Sequence, residues 1–183
     1  RPKQRRDEKK IAQALVRRKL RRARRAYLSE NYAVARNLFL QLAMRGSAEA
    51  QYAVAQMCRS GHGVVPNLSE AMTWLRFAAQ QQYVPAQADL GSLYLQASGP
   101  ETDLSMAVYW LESAAVGGSE YAQLKLSELY EDGAFVTRDF RVAAKWRRLA
   151  ARGGHSHSQF RLGVQFSEGV GVHKNYERAA KWF

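Results

Sequence analysis

Small and apolar residues recur along this chain at spacings of three and four, the pattern of helices that bury one face. One stripe runs Leu104, Ala107, Val108, Leu111, Ala114 and Ala115, and a shorter one carries Ala86, Leu90, Gly91 and Tyr94. The stripes return with a fixed period, which is sharpest in Trp74, Trp110, Trp146 and Trp182, each 36 residues from the next, with Leu38 one step earlier. Ala35, Ala71, Ala107, Ala143 and Ala179 share a register, as do Asn31, Asn67, Asp103, Asp139 and Asn175. Each unit reads as two helices. The first ends at loops such as Gly61-His62-Gly63-Val64 and Gly169-Val170-Gly171-Val172; the second begins at the periodic Asn or Asp, whose side-chain oxygen accepts from amides of the first turn. Gly117-Gly118 and Gly153-Gly154 end second helices, because glycine takes the left-handed conformation a C-terminal cap needs. A two-helix hairpin cannot bury its apolar face alone, so the pattern predicts an all-α stack of hairpins. Gln51, Gln87, Gln123 and Gln159 also share a register and read as ties between neighbouring hairpins.

Composition changes this picture little. Among 183 residues 46% are hydrophobic, enough for a core, and Cys58 stands alone, which leaves no internal disulfide and no multi-cysteine metal site. Charge changes it more. Residues 1–25 hold thirteen Lys or Arg against Asp7 and Glu8, so nearly all of the net +12 sits there and the remaining residues are close to neutral. No stretch is apolar for long enough to span a bilayer. The last unit stops at Phe183, short of where its siblings end, and the sequence therefore reads as part of a longer protein.

The third unit, Ala86-x3-Leu90-Gly91-x2-Tyr94-x4-Gly99-x3-Asp103-x3-Ala107-x2-Trp110-x3-Ala114-Ala115-x2-Gly118, resembles the Sel-one-like repeat, a tetratricopeptide-like hairpin with a longer inner loop. The resemblance covers about residues 46–183, in units of about 46–81, 82–117, 118–153 and 154–183, and implies a right-handed α/α superhelical solenoid. Residues 11–45 read as a basic helix plus a capping hairpin of plainer tetratricopeptide form, with Leu38 in place of Trp, and residues 1–10 as a flexible basic arm. Ala12, Val16, Leu20, Ala23 and Tyr27 form the stripe by which the basic helix would dock. The second unit departs from the pattern at Cys58, where its siblings have Tyr94, Tyr130 and Phe166.

The resemblance further implies a non-enzymatic adaptor or scaffold that binds a partner peptide or domain on the surface lined by the first helices. Carried over by register, that groove falls on Tyr52, Gln56 and Arg59; on Ala88, Ser92, Leu95 and Gln96; on Tyr121, Leu124, Glu128, Glu131 and Asp132; and on Phe160, Val164, Ser167 and Glu168. Aromatic anchors would supply desolvation and the acids would steer Lys or Arg of the partner. The alternative is an anionic membrane surface or a nucleic acid meeting Arg17, Arg18, Lys19, Arg21, Arg22, Arg24 and Arg25, with no aromatic residue interleaved as a base-stacking platform. The cytoplasm or an inner membrane is the favoured location, with periplasm or organelle as alternatives.

Catalytic chemistry finds no constellation, and no cofactor or small-molecule substrate is expected. His155 and His157 follow a glycine turn without further metal ligands nearby in sequence, and Cys58 has no adjacent His. The Gly-x-Gly loops follow no strand and so are not dinucleotide fingerprints, while Asn67-Leu68-Ser69, a formal glycosylation sequon, is better explained by helix capping at Asn67.

Overall fold

The computed structural model describes residues 2–96, 103–133 and 136–183, without the side chains of 2–5, 7 and 9; Arg1 and the Gly99 of the repeat motif lie outside the described residues. Ten helices are present among the described residues: α1 (Pro2–Leu28), α2 (Tyr32–Ala43), α3 (Ala48–Ser60), α4 (Leu68–Gln80), α5 (Val84–Gln96), α6 (Leu104–Val116), α7 (Glu120–Asp132), α8 (Phe140–Arg152), α9 (Ser156–Glu168) and α10 (Tyr176–Trp182). They fall into two compact units, residues 1–86 and 87–183. In the first, α1 packs on α2, α2 on α3 and α3 on α4; in the second, α6 through α10 pack in the same sequential way.

The periodic alanines explain the close packing. Ala35, Ala71, Ala107 and Ala143 are fully buried and Ala179 nearly so, each placing no more than a methyl between helices. Gly91 goes further: a Cβ there would stand 2.8 Å from Leu111 Cγ and 3.1 Å from the Ala107 carbonyl oxygen, so α5 and α6 meet where only glycine fits. Around these contacts Leu20, Phe39, Leu42, Val54 and Met57 build the core of the first unit, and Leu162 and Phe166 build a core at the end of the second.

Every periodic Asn or Asp caps its helix. Asn31, Asn67, Asp103 and Asn175 accept from the amide three residues on at 2.8–3.4 Å, and Asp139 accepts from Arg141 at 2.8 Å and Val142 at 3.1 Å. The glutamine register is equally structural. Gln51, Gln123 and Gln159 donate from Nε2 to the carbonyls of Ala43, Ala115 and Ala151 at 3.0–3.2 Å, tying the start of one hairpin to the end of the previous one.

The Gly-x-Gly loops are also accounted for. Gly61 and Gly169 are left-handed C-caps of α3 and α9. Gly63 and Gly171, also at positive φ, pass so close to the first residues of α2 and α8 that a Cβ would lie 3.0 Å from the Tyr32 backbone and 2.0 Å from the Phe140 carbonyl oxygen. In the double-glycine turns the left-handed residue is the second, Gly118 or Gly154.

One expectation is corrected at the N-terminus. α1 begins at Pro2, so residues 2–10 continue the basic helix instead of forming a separate arm. No Gly or Pro follows Pro2 in the helix, its Lys, Arg, Gln and Ala are strong helix formers, and Pro2 suits a first helical position. Of the expected docking stripe, Leu20 and Ala23 are buried and Val16 and Tyr27 half-buried against the core, while Ala12 is exposed.

Candidate functional site

The first unit contains a pocket of about 410 Å³, lined by Arg24, Tyr27 and Leu28 of α1, Phe39 of α2, Glu49, Tyr52, Ala53 and Gln56 of α3, and Tyr83. The apolar stripe of α1 leaves Tyr27 facing α3, and the α3 register turns Tyr52 and Gln56 to the same side. Tyr52 and Tyr83 face each other with centroids 5.4 Å apart. Arg24 is ion-paired with Glu49 at the rim. Burial, then the charge of Glu49, pushes the Tyr83 hydroxyl above its ordinary pKa, with Arg24 opposing, so the pocket presents a neutral phenol. Tyr52 and Gln56 are thus brought together as expected; Arg59, one turn on, is exposed outside this pocket. Tyr27, Leu28, Phe39 and Tyr83, which also line the pocket, were not among the expected groove positions.

In the second unit, Ser92 accepts from Gln96 Nε2 at 2.9 Å and from the Tyr121 hydroxyl at 3.0 Å, which joins three expected groove positions across α5 and α7. Leu95, Leu124 and Val164 are half-buried, while Tyr121 and Phe160 are 49% and 55% exposed. Glu128 pairs with Lys125 one turn earlier at 3.0 Å, whose ammonium is held above its usual pKa first by that hydrogen bond. Ala88 is only 7% exposed and belongs to the core.

Glu131 does not fit the expected role of a free steering acid. It forms a two-pronged ion pair with Arg147 of α8, one arm at 2.6 Å, and also meets Arg161 at 3.4 Å and Gln165 Nε2 at 3.0 Å on α9. Burial alone would raise its pKa, but the hydrogen bonds and charges of Arg147 and Arg161 outweigh it and hold the carboxyl below its ordinary value. The repeat register explains why this was missed. Arg147 stands where the other units have Phe39, Leu75, Leu111 and Phe183, and Gln165 where they have Met57, Leu93 and Leu129. An apolar position has become a buried cation, 3% exposed, and Glu131 is its counterion.

The remaining candidates resolve individually. Cys58 is fully buried, and burial first, then Glu70, pushes its thiol up to about 11, so it is no thiolate nucleophile. His155 is the N-cap of α9, its Nδ1 accepting from the Ser158 amide at 3.1 Å. On α1, Lys19 bonds Gln41 and Arg24 is spent on Glu49, whereas Arg17, Arg18, Arg21, Arg22 and Arg25 are exposed. Among the described residues no helix is long and apolar enough to cross a membrane.

Stacked helical hairpins, here with a mainly apolar pocket in the first unit, define a class, the α-helical repeat scaffold. Within it the chain belongs to the Sel1 repeat family, whose model matches residues 48–83, 84–119, 120–155 and 156–183. Sel1 repeat proteins are in general protein-interaction scaffolds. Among solved structures the chain is similar to c5321, a protective antigen of uropathogenic Escherichia coli strains displaying an SLR fold, at 27% identity and TM-score 0.84. It is also similar to a Sel1 repeat protein from Oxalobacter formigenes, at 26% identity and TM-score 0.74. The matches cover 93% and 82% of this chain but 38% and 62% of those proteins, so it spans less than two thirds of the length of either. No curated protein sequence matches.

Proposed function

We propose that this chain is a non-enzymatic scaffold that captures a partner protein through an apolar anchor in the pocket of the first unit, and thereby assembles or localises a complex. The observation that carries this reading is the convergence of Tyr52 and Gln56, assigned by register alone, with Tyr27, Phe39 and Tyr83 around one pocket. Fully burying a Leu or Phe side chain contributes about 1.5–3 kcal/mol. The Arg24–Glu49 pair at the rim orients the backbone of the incoming segment, and the exposed Tyr121 and Phe160 give the second unit apolar contacts of its own.

The test is selection from a random peptide library on the whole chain, followed by affinity measurement with Tyr52→Asp. Enriched peptides share a Leu, Phe or Trp anchor and lose about ten-fold or more in affinity, about 1.4 kcal/mol, while circular dichroism of the variant is unchanged. Peptides without such an anchor, or undiminished binding to a folded Tyr52→Asp, overturn the reading.

The exposed arginines of α1 favour a second reading, contact with an anionic membrane or nucleic acid. It requires binding to anionic vesicles or oligonucleotides that falls steeply between about 50 and 200 mM salt and disappears in Arg17→Ala/Arg18→Ala/Arg21→Ala/Arg22→Ala.

A further inference from the structure

The second unit carries a cleft of about 1000 Å³ at the inner loops of two successive hairpins. Arg138, Arg141, Arg148, Arg178 and His173 line it together with Phe166 and Phe140. Its one carboxylate, Asp139, is occupied as the N-cap of α8. Among the described residues none of the four guanidiniums has a carboxylate partner; Arg138 donates to the Asp132 backbone carbonyl at 3.2 Å. Arg148 and Arg178 are both held over the Phe166 ring, at 5.9 and 5.8 Å, so these like charges lie within about 12 Å of each other, the sum of the two ring distances. With four guanidiniums against one carboxylate the concave site carries a net positive charge, which focuses the field and concentrates counter-ions.

We propose that this cleft is a second binding site, for an acidic segment of a partner protein whose Asp or Glu carboxylates take the four guanidiniums. The proposal rests on reading the chain as a protein-binding scaffold, but not on the pocket of the first unit. Guanidiniums match carboxylates in paired hydrogen bonds, and ring stacking already holds Arg138, Arg148 and Arg178 in place, which reduces the entropy lost on binding. The same stacking argues against a single-stranded nucleic acid. Base binding uses open aromatic faces, whereas Phe166, the ring at the centre of the arginines, is 4% exposed under two of them, and Phe140, 39% exposed, shares its ring with Arg138 at 5.8 Å.

The test is fluorescence anisotropy at about 150 mM salt, where loose charge contacts are largely screened. The probes are a labelled ten-residue peptide of alternating Glu and Gly, its Gln-Gly counterpart and a ten-nucleotide oligo-dT. The proteins are the whole chain, Arg148→Glu/Arg178→Glu, Arg141→Glu and Arg17→Ala/Arg18→Ala/Arg21→Ala/Arg22→Ala. Among the described residues Arg141 stands over no aromatic ring, so its variant keeps the test decisive if the double variant fails to fold. The Glu peptide binds better than the Gln peptide, loses at least about ten-fold with either cleft variant, and is unchanged by the α1 substitutions. Equal binding of the Gln peptide, a folded Arg141→Glu that binds as the wild type does, loss confined to the α1 variant, or oligo-dT bound more tightly through the cleft each overturns the proposal. Peptides selected for the first-unit pocket still respond to Tyr52→Asp in that event, which separates this failure from failure of the scaffold reading.

Discussion

Arg147 is the most exposing place to perturb the fold, because it is a cation in a slot built for leucine. In Arg147→Leu the Glu131 carboxylate, 15% exposed, loses its two-pronged partner and keeps only Arg161 at 3.4 Å and Gln165 at 3.0 Å. Removing one member of a buried ion pair costs about 3–5 kcal/mol. The residual contacts place this case at the low end, about 3 kcal/mol, or a fall of about 1.5 M in the urea midpoint for a slope of about 2 kcal/mol/M. The triple variant Glu131→Leu/Arg147→Leu/Gln165→Leu restores the apolar residues that sibling units carry at the 147 and 165 positions and, at 131, the leucine of the preceding unit, Leu95, and is expected to match the wild type or exceed it by about 1–4 kcal/mol. Tryptophan fluorescence and circular dichroism in urea give both numbers. Because the folded Glu131 pKa lies below its ordinary 4.5, the pair's contribution is complete above that pH and is lost as pH falls through the depressed value. The acid limb therefore flattens in the triple variant. A single variant within about 1 kcal/mol of wild type, or a triple variant no more stable than the single, refutes the reasoning.

Three further outcomes are expected. Gln82 holds φ +59 where the sibling turns have Gly46, Gly118 and Gly154, so Gln82→Gly raises stability by about 1 kcal/mol in urea titration. Gly171→Ala, whose Cβ would meet the Phe140 carbonyl oxygen at 2.0 Å, costs about 3 kcal/mol or more, whereas Gly118→Ala, with nothing within 4 Å, costs only the backbone strain of about 1–2 kcal/mol; equal Tm losses contradict this. Cys58, buried with its pKa at about 11, is inert to a thiol-titrating disulfide at pH 8 and reacts only as urea unfolds the chain.

What repeats was legible in the sequence, and what departs from the repeat was not. The Asn or Asp caps satisfy a geometric need that recurs in all five hairpins, and the Gln ties and glycine loops one that recurs in several, so their register carried the fold. Register put Tyr52 and Gln56 on one face, where they line one pocket, but could not supply Tyr27 and Phe39, which reach that pocket from α1 and α2, where the repeat pattern is weakest. It misassigned Glu131, because equivalence between units assumes equivalent neighbours, and its neighbours Arg147 and Gln165 are the substituted positions. The arginine cleft escaped for a different reason. Summed charge after residue 25 is close to neutral, and a sum says nothing about four arginines gathered at one pair of loops. The start of α1 was placed too late because its first residues carry charge without an apolar face, yet helix propensity alone supports them.

The measurement that bears most directly on the scaffold account is an amide NMR titration of the whole chain with a library-selected peptide. Shifts are expected to concentrate at Tyr27, Leu28, Tyr52, Ala53, Gln56 and Tyr83, the residues around the first-unit pocket. Shifts confined to the exposed arginines of α1, with the pocket amides unmoved, contradict it and hand recognition to the basic helix.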